Sequence, residues 1–369
     1  MNNDSLNKIL IITLRADIGG GPEHVYNLVN YLQNDFSFYI AAPDDWPYYD
    51  KYVQLVGQER YILLPHRKFS IKHLIKLRRF VVQNGIQIIH SHGKGAGVYS
   101  RLLNLSNNIK VIHTFHGFHI GQYNFFNREV YIYLEKLLGI FTVRFINVSR
   151  SENELITKYR IAKQSKLEII ENGVKIPEEG VSPKNLEKHP LKVISFSRFD
   201  YPKNSSLIIS IVMHLRNLKK LENFKFYIFG VGPEQKDIQK LCANNDLIEY
   251  IFLPGATTNN KQELLNSFCY ISTSRWEGLP LGVLEAFAYG LPVIASNVVG
   301  NYDLIDNKIN GFLFELNKPE IAAENILQLA SDRELWLKLS QNARFKAEKN
   351  YNITQMVSKT KQLYLNILN

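Results

Sequence analysis

Two carboxylates stand eight residues apart in Ser274-Arg-Trp-Glu277-Gly278-Leu279-Pro280-Leu-Gly-Val-Leu-Glu285-Ala-Phe-Ala-Tyr-Gly290-Leu-Pro292. Proline favours the first turn of a helix and glycine its exit, so a helix is expected from about Pro280 to Gly290. Glu277 then falls in the loop ahead of it, and Glu285 lies about one and a half turns inside. A carboxylate accepts paired hydrogen bonds from adjacent hydroxyls, as ribose and hexose offer. A lone helical glutamate is usually solvated, but the apolar neighbours of Glu285 argue against exposure, and an unpaired buried carboxylate is costly. A second cluster, Arg198-Phe-Asp-Tyr-Pro-Lys203, offers a forked guanidinium and a point-charge ammonium, a pair suited to a diphosphate. In a third, Asp17-Ile-Gly19-Gly20-Gly21-Pro22-Glu23, glycines and an early proline open a helix whose free N–H groups suit an anion, though a plain tight turn reads the same way. His113-Thr-Phe-His116-Gly117 and His90-Ser-His92-Gly93 place histidines at the ends of apolar runs.

These clusters need strand ends to carry them. Short apolar runs at Lys8–Leu14, Phe36–Ala41, Tyr61–Leu64, Gln87–His90, Lys110–Phe115, Phe145–Val148 and Leu167–Ile170 alternate with helical patterns such as Glu23–Gln33. The alternation pauses over Ile176 to Pro190, which holds three prolines and reads as a linker. It resumes at Leu191–Ser197, Phe224–Phe229, Tyr250–Leu253, Tyr270–Thr273 and Pro292–Ser296, and turns helical from Pro319 on. Strand–helix alternation implies parallel sheets, and the ligands of such sheets lie beyond the carboxyl ends of strands. A length of 369 residues with 45% hydrophobic composition fits two cores and excludes a disordered chain. Two cysteines exclude a disulfide scaffold and suit a reducing compartment. The net charge of +10 is spread over both halves, with one concentration at Arg67, Lys68, Lys72, Lys76, Arg78 and Arg79. No P-loop, G-x-S-x-G, D-x-D or zinc spacing is present, and Gly230-Val-Gly232-Pro-Glu234 is only half of a dinucleotide fingerprint.

In order and spacing, the clusters resemble the retaining glycosyltransferases of family 4, which have the GT-B fold. Gly20-Gly21-Pro22-Glu23 is similar to the family's GGxE loop, and His116-Gly117 to its first-domain histidine. Glu171-Asn172-Gly173-Val174 resembles its NGV segment, Arg198 and Lys203 its R-x4-K pair, and Gly230 to Glu234 its G-x-GPE turn. Glu277 to Glu285 resembles its E-x7-E signature, and Asn310-Gly311 a late turn. The likeness runs over about residues 8–350. It departs at Ser197 and Asn204, where the family often has glycine.

The resemblance implies an α/β, GT-B architecture: two Rossmann-like domains facing across a cleft, an acceptor-side domain over 1–178 joined by about 351–369, and a donor-binding domain over 190–350. Its last helix, Asn352–Leu368, would return to the N-terminal domain. It implies that His116, Glu277, Arg198 and Lys203 are catalytic. Gly20, Gly21, Gly232, Gly278, Leu279 and Glu285 would join Arg198, Lys203 and Glu277 in binding a UDP- or GDP-sugar. No metal and no further cofactor are expected. With no metal, the departing diphosphate's charge falls to Arg198, Lys203 and helix N-termini. No protein nucleophile stands out, so retention is expected by same-face attack. The acceptor would be a saccharide or lipid-linked saccharide of surface polysaccharide assembly. The setting would be cytoplasmic, peripheral on the inner face of the membrane.

The basic stretch 67–79 carries Phe69, Ile71, Leu74, Ile75 and Leu77 among its cations and could lie as an amphipathic helix on anionic lipid, or be an ordinary solvated face. Alternatives are a GT-B sugar-nucleotide epimerase or hydrolase, which needs no acceptor, a non-catalytic sugar binder, and a basic nucleic-acid-binding protein. The last predicts one concentrated basic face with stacking aromatics and leaves Glu277 and Glu285 unexplained, so no nucleic-acid partner is expected.

Overall fold

The computed structural model describes residues 6–107, 109–121 and 123–369. They divide into two compact units, Met1–Asn172 with Met356–Asn369, and Gly173–Gln355. The division falls at Asn172, ahead of the 178 expected from the proline-rich linker, because Val174 pairs with Tyr351 and Ile353 at the end of the second unit.

In the first unit, strands β1 (Lys8–Thr13), β2 (Ser37–Ala42), β3 (Tyr61–Leu63), β4 (Ile88–His92), β5 (Lys110–Thr114), β6 (Arg144–Asn147) and β7 (Leu167–Ile169) form a sheet in the order β3-β2-β1-β4-β5-β6-β7. All pairings are parallel. The β1 run Ile9–Ile12 is fully buried, as a parallel strand covered on both faces requires. Helices α1 (Gly20–Leu32), α2 (Tyr48–Val56), α3 (Ile71–Asn84), α4 (Lys94–Asn107), α5 (Phe125–Gly139) and α6 (Arg150–Lys158) connect them. α3 starts at Ile71 rather than Arg67: Arg67 has a positive φ of 50° and lies in the preceding turn, so only part of the basic 67–79 stretch is helical.

In the second unit β8 (Leu191–Phe196), β9 (Phe224–Phe229), β10 (Ile251–Gly255), β11 (Cys269–Ser272), β12 (Val293–Ser296) and β13 (Gly311–Phe314) run parallel in the order β10-β9-β8-β11-β12-β13. Helices α7 (Leu207–Asn217), α8 (Gln235–Asn244), α9 (Asn260–Leu265), α10 (Leu281–Ala288), α11 (Asn301–Leu304), α12 (Pro319–Ser331) and α13 (Arg333–Asn350) complete it. The four-residue run Gly311–Phe314 gives no strand signal in the sequence, and it forms β13 by pairing with β12. The last helix, α14 (Ile353–Leu368), joins the first unit from Met356. Its Tyr364 is fully buried, edge-on to Phe36, with its hydroxyl 2.6 Å from His90 Nδ1.

In each sheet the strand order reverses at the first strand of the unit, between β1 and β4 and between β8 and β11. Such reversal points open a crevice at the strands' carboxyl ends. The Gly20–Gly21 turn follows β1, the Arg198–Lys203 loop follows β8, and Glu277 follows β11.

Candidate active site

At the reversal point of the second unit the loops after β8 and β11 are stitched together. Thr273 Oγ1 donates to the carbonyls of Lys203 and Asn204 at 3.2 and 3.1 Å, Arg275 N donates to Pro202 O at 2.7 Å, and Asn204 Nδ2 to Thr273 O at 3.2 Å. Asn204 holds φ at 52°, a left-handed conformation that glycine and asparagine tolerate best, which accounts for the position where the family often has glycine. The stitching brings Lys203 Nζ to 2.5 Å from Glu277 Oε1, an oxygen that also accepts from Ser274 Oγ at 2.6 Å. Arg198 pairs with Asp200 at 2.8 Å. Each expected cation thus has its own carboxylate, and Arg275, bound to Tyr201 O, leaves the two loops one positive charge in excess. Lys203, Ser274 and Glu277 line one small pocket with Phe196, Thr273 and Pro280. Proline begins α10 as expected, and Glu285, half-buried on it, accepts from Asn260 Nδ2 at 3.0 Å. Gly278 and Leu279 are buried beside Glu277.

The first unit gathers histidines. His116 follows β5 at φ 58°, and its Nε2 lies 2.9 Å from His92 Nδ1 at the end of β4. The His24 ring meets His116 edge-on at 4.7 Å, and its Nδ1 lies 3.1 Å from Asn172 Oδ1. Burial, opposed by the Asn172 bond, pulls His24 from 6.5 to about 4, and burial holds His92 and His116 well below their ordinary value. All three imidazoles are therefore neutral at pH 7, and one nitrogen of each lies within 4.8 Å of the others. The turn carrying His116 is held by Glu152, fully buried at the third position of α6. Its carboxylate accepts from the backbone N–H of Gly117, Phe118 and Val148 at 2.6, 2.7 and 2.8 Å. The Gly20–Gly21 turn opens α1 without a side-chain cap, leaving its first N–H groups available.

Residues 178–346 match the glycosyl transferases group 1 family, and residues 18–177 match Glycosyltransferase Family 4. The chain belongs to these group 1, family 4 glycosyltransferases. It is 26% identical over 314 residues to an Escherichia coli UDP-Gal:alpha-D-GlcNAc-diphosphoundecaprenol alpha-1,3-galactosyltransferase, covering 81% of this chain and 80% of that one. Over 201 residues it is 30% identical to a Staphylococcus aureus poly(ribitol-phosphate) alpha-N-acetylglucosaminyltransferase, covering 54% of this chain and 39% of that one. The crystal structure of Anabaena Alr3699/HepE in complex with UDP and glucose shares its GT-B fold, with a TM-score of 0.83 at 15% identity, covering 98% of this chain and 100% of that one.

Several residues of this glycosyltransferase's site escape a linear reading. Asp200, Ser274 and Asn260 are the polar partners of Arg198, Glu277 and Glu285, and nothing in their spacing marks them. Gly300, at φ 85°, leaves no room for a side chain: a Cβ there would stand 2.7 Å from Glu277 Cβ and 2.9 Å from Gly278 O. Gly230 and Gly232 act in the same way. A Cβ on Gly230 would meet Ser197 O at 2.0 Å, and one on Gly232 Phe199 O at 2.3 Å, so the two glycines let this turn clasp the backbone that carries Arg198. Phe199 N donates to Val231 O at 3.2 Å and Glu234 N to Phe199 O at 2.9 Å across the clasp. Gly232→Ala should therefore cost about 1–3 kcal/mol of second-unit stability and displace Arg198. Thermal melts read alongside donor KM check this: both should worsen, and a variant with wild-type values refutes the clasp.

Proposed function

We propose that this glycosyltransferase is retaining and metal-independent, and moves a hexose from a UDP- or GDP-sugar to a saccharide or lipid-linked saccharide in surface polysaccharide assembly. The observation that carries the reading is the Lys203–Glu277 contact where β8 and β11 end. The named acceptor of the E. coli relative and the UDP and glucose in the HepE complex support the substrate classes.

In this reading Arg198 and Lys203 take the diphosphate. The arriving dianion competes with Glu277 for Lys203, which frees the Glu277 carboxylate to accept from sugar hydroxyls beside the backbone of Gly278 and Leu279. Glu285 accepts from the ribose. Gly232 acts through the clasp on the Arg198 loop. From the first unit, Gly20 and Gly21 offer N–H groups to phosphate, and His116, neutral at pH 7, serves the sugar and acceptor. As the anomeric C–O bond breaks, the electron pair leaves with the diphosphate, and the two cations stabilise it. The acceptor hydroxyl attacks from the same face and yields its proton to the departing phosphate oxygen. With a lipid-linked acceptor the enzyme would work peripherally at the inner membrane face.

The test is to incubate the protein with UDP-, GDP- and ADP-sugars. Release of nucleoside diphosphate should require an acceptor, survive EDTA, and give a product with the donor's anomeric configuration by proton NMR. Interconversion of donor without acceptor would make it an epimerase, and a trapped glycosyl–enzyme adduct would refute same-face attack. Glu285→Gln should raise the donor KM by roughly tenfold with a smaller change in kcat, because a ribose contact is made equally in ground and transition states. Steady-state kinetics decide, and an unchanged KM removes Glu285 from the site.

A further inference from the structure

α5 packs Tyr131 and Ile132 into the core and carries a second apolar face toward solvent. Phe126, Val130, Tyr133, Leu134 and Leu137 follow the i, i+4, i+7, i+8, i+11 spacing of one helical face, and all are exposed, Phe126 at 73% and Tyr133 at 67%. Ile140, just past the helix, extends the stripe at 67%, and Phe125 at the start of the helix is exposed at 74% on a neighbouring face. The inward face holds Tyr131, Ile132, Gly139 and Glu135, and Glu135 makes an ion pair at 2.8 Å with the fully buried Arg101. A helix with water on its outer side carries its apolar stripe inward. A contiguous exposed stripe of this kind marks a protein or membrane contact.

Charge says which. Between Glu59 and Glu129 the chain has no aspartate or glutamate, while it carries Arg67, Lys68, Lys72, Lys76, Arg78 and Arg79 among other cations. That stretch builds α3 and α4, and α4 packs against both α3 and α5. On α3 the exposed Ile71, Ile75 and Val82 alternate with the exposed cations Lys72, Lys76, Arg78 and Arg79. On α5 the exposed Lys136 stands beside the exposed Glu129, which pairs with Arg128 at 3.2 Å, so the excess of positive charge comes from α3. A two-fold contact between copies would set this basic surface against itself. An anionic lipid surface neutralises it and takes up the apolar stripe.

We propose that the α3–α5 surface of the first unit docks on an anionic bilayer, with the Phe126–Leu137 stripe entering the headgroup–acyl boundary and the α3 cations holding lipid phosphates. This moves the apolar anchor from the basic 67–79 segment to a helix outside it, and it stands whether or not the chain transfers sugar. None of the helices described is long and apolar enough to cross a membrane, so the contact is peripheral.

The test is flotation of the full chain with phosphatidylethanolamine–phosphatidylglycerol vesicles and with phosphatidylcholine vesicles. Wild type should float with the first and bind the second at least roughly tenfold more weakly. Leu134→Glu with Leu137→Glu, both at exposed positions, should lower binding to the anionic vesicles by roughly tenfold or more. Gln at Lys72, Lys76, Arg78 and Arg79 should erase the preference for anionic lipid. A Tyr133→Trp reporter in the otherwise unchanged chain should be quenched by brominated acyl chains, which tests the stripe without a disruptive charge. The proposal falls if wild type does not float, if the two-glutamate variant floats equally, or if the reporter ignores brominated lipid. It falls also if wild type sediments as a dimer that the two-glutamate variant dissolves, which would assign the stripe to self-association.

Discussion

Lys203→Met should lower kcat/KM by roughly 100- to 1,000-fold, with most of the loss in kcat. An ammonium aimed at a departing diphosphate is worth most when charge has developed on it, so the loss belongs to the transition state more than to binding. The substitution also strips Glu277 of its cation. Only 11% of that side chain is exposed, and it would keep Ser274 as its neutral partner. Removing one member of a desolvated pair destabilises by leaving the other unpaired, so a folding effect must be separated from a chemical one. The double variant Lys203→Met, Glu277→Gln removes both charges of the pair and leaves neither unpaired. It should recover the melting temperature and leave turnover low. Should Lys203→Met turn over at the wild-type rate with saturating donor, Lys203 has no part in the chemistry.

Acid should unfold the first unit ahead of the second. His24, at about 4 in the fold against an ordinary 6.5, is held neutral chiefly by burial, and burial holds His90, His92, His113 and His116 far below 6.5 as well. The unfolded chain therefore binds more protons than the native one below pH 6.5, and stability falls as pH falls. The contribution is fully present above pH 6.5 and is lost progressively toward pH 4, where His24 alone accounts for about 3 kcal/mol. The second unit has no buried histidine among its described residues. Scanning calorimetry between pH 7 and 4 should show one transition moving down steeply while the other barely shifts. A single transition, or two that move together, would contradict the assignment. Replacing His24 by Gln, which can keep a partner in Asn172, should flatten the slope.

Hydrophobic alternation made the twelve strand positions from Lys8 to Ser296 readable, because buried parallel strands are continuous apolar runs and the prolines and glycines between them mark turns. β13 escaped because Gly311–Phe314 is short and opens with glycine, and its strand character comes from pairing with β12. Among the candidate site residues, the charged side chains after strand ends are legible as positions. Their partners are not: Asp200, Asn260 and Ser274 are ordinary surface residue types until the loops fold over one another. The histidine group shows the same limit. His24, His92 and His116 lie on α1, β4 and the turn after β5, and only a sheet in which β4 stands between β1 and β5 brings them together. α5 has apolar residues on two faces, so its periodicity identifies a helix but does not say which face meets the core.

The place of Tyr364 sets an order of events during synthesis. Its ring fills a buried position against Phe36 and His90, in a sheet whose strands all lie before residue 170. Residues 173–355 can close as soon as they leave the ribosome, but the earlier sheet keeps an open socket beside His90 until Tyr364 of α14 emerges. The half of the molecule made first is the half finished last, and a released chain that stops before Tyr364 should show protease resistance in its second unit ahead of its first.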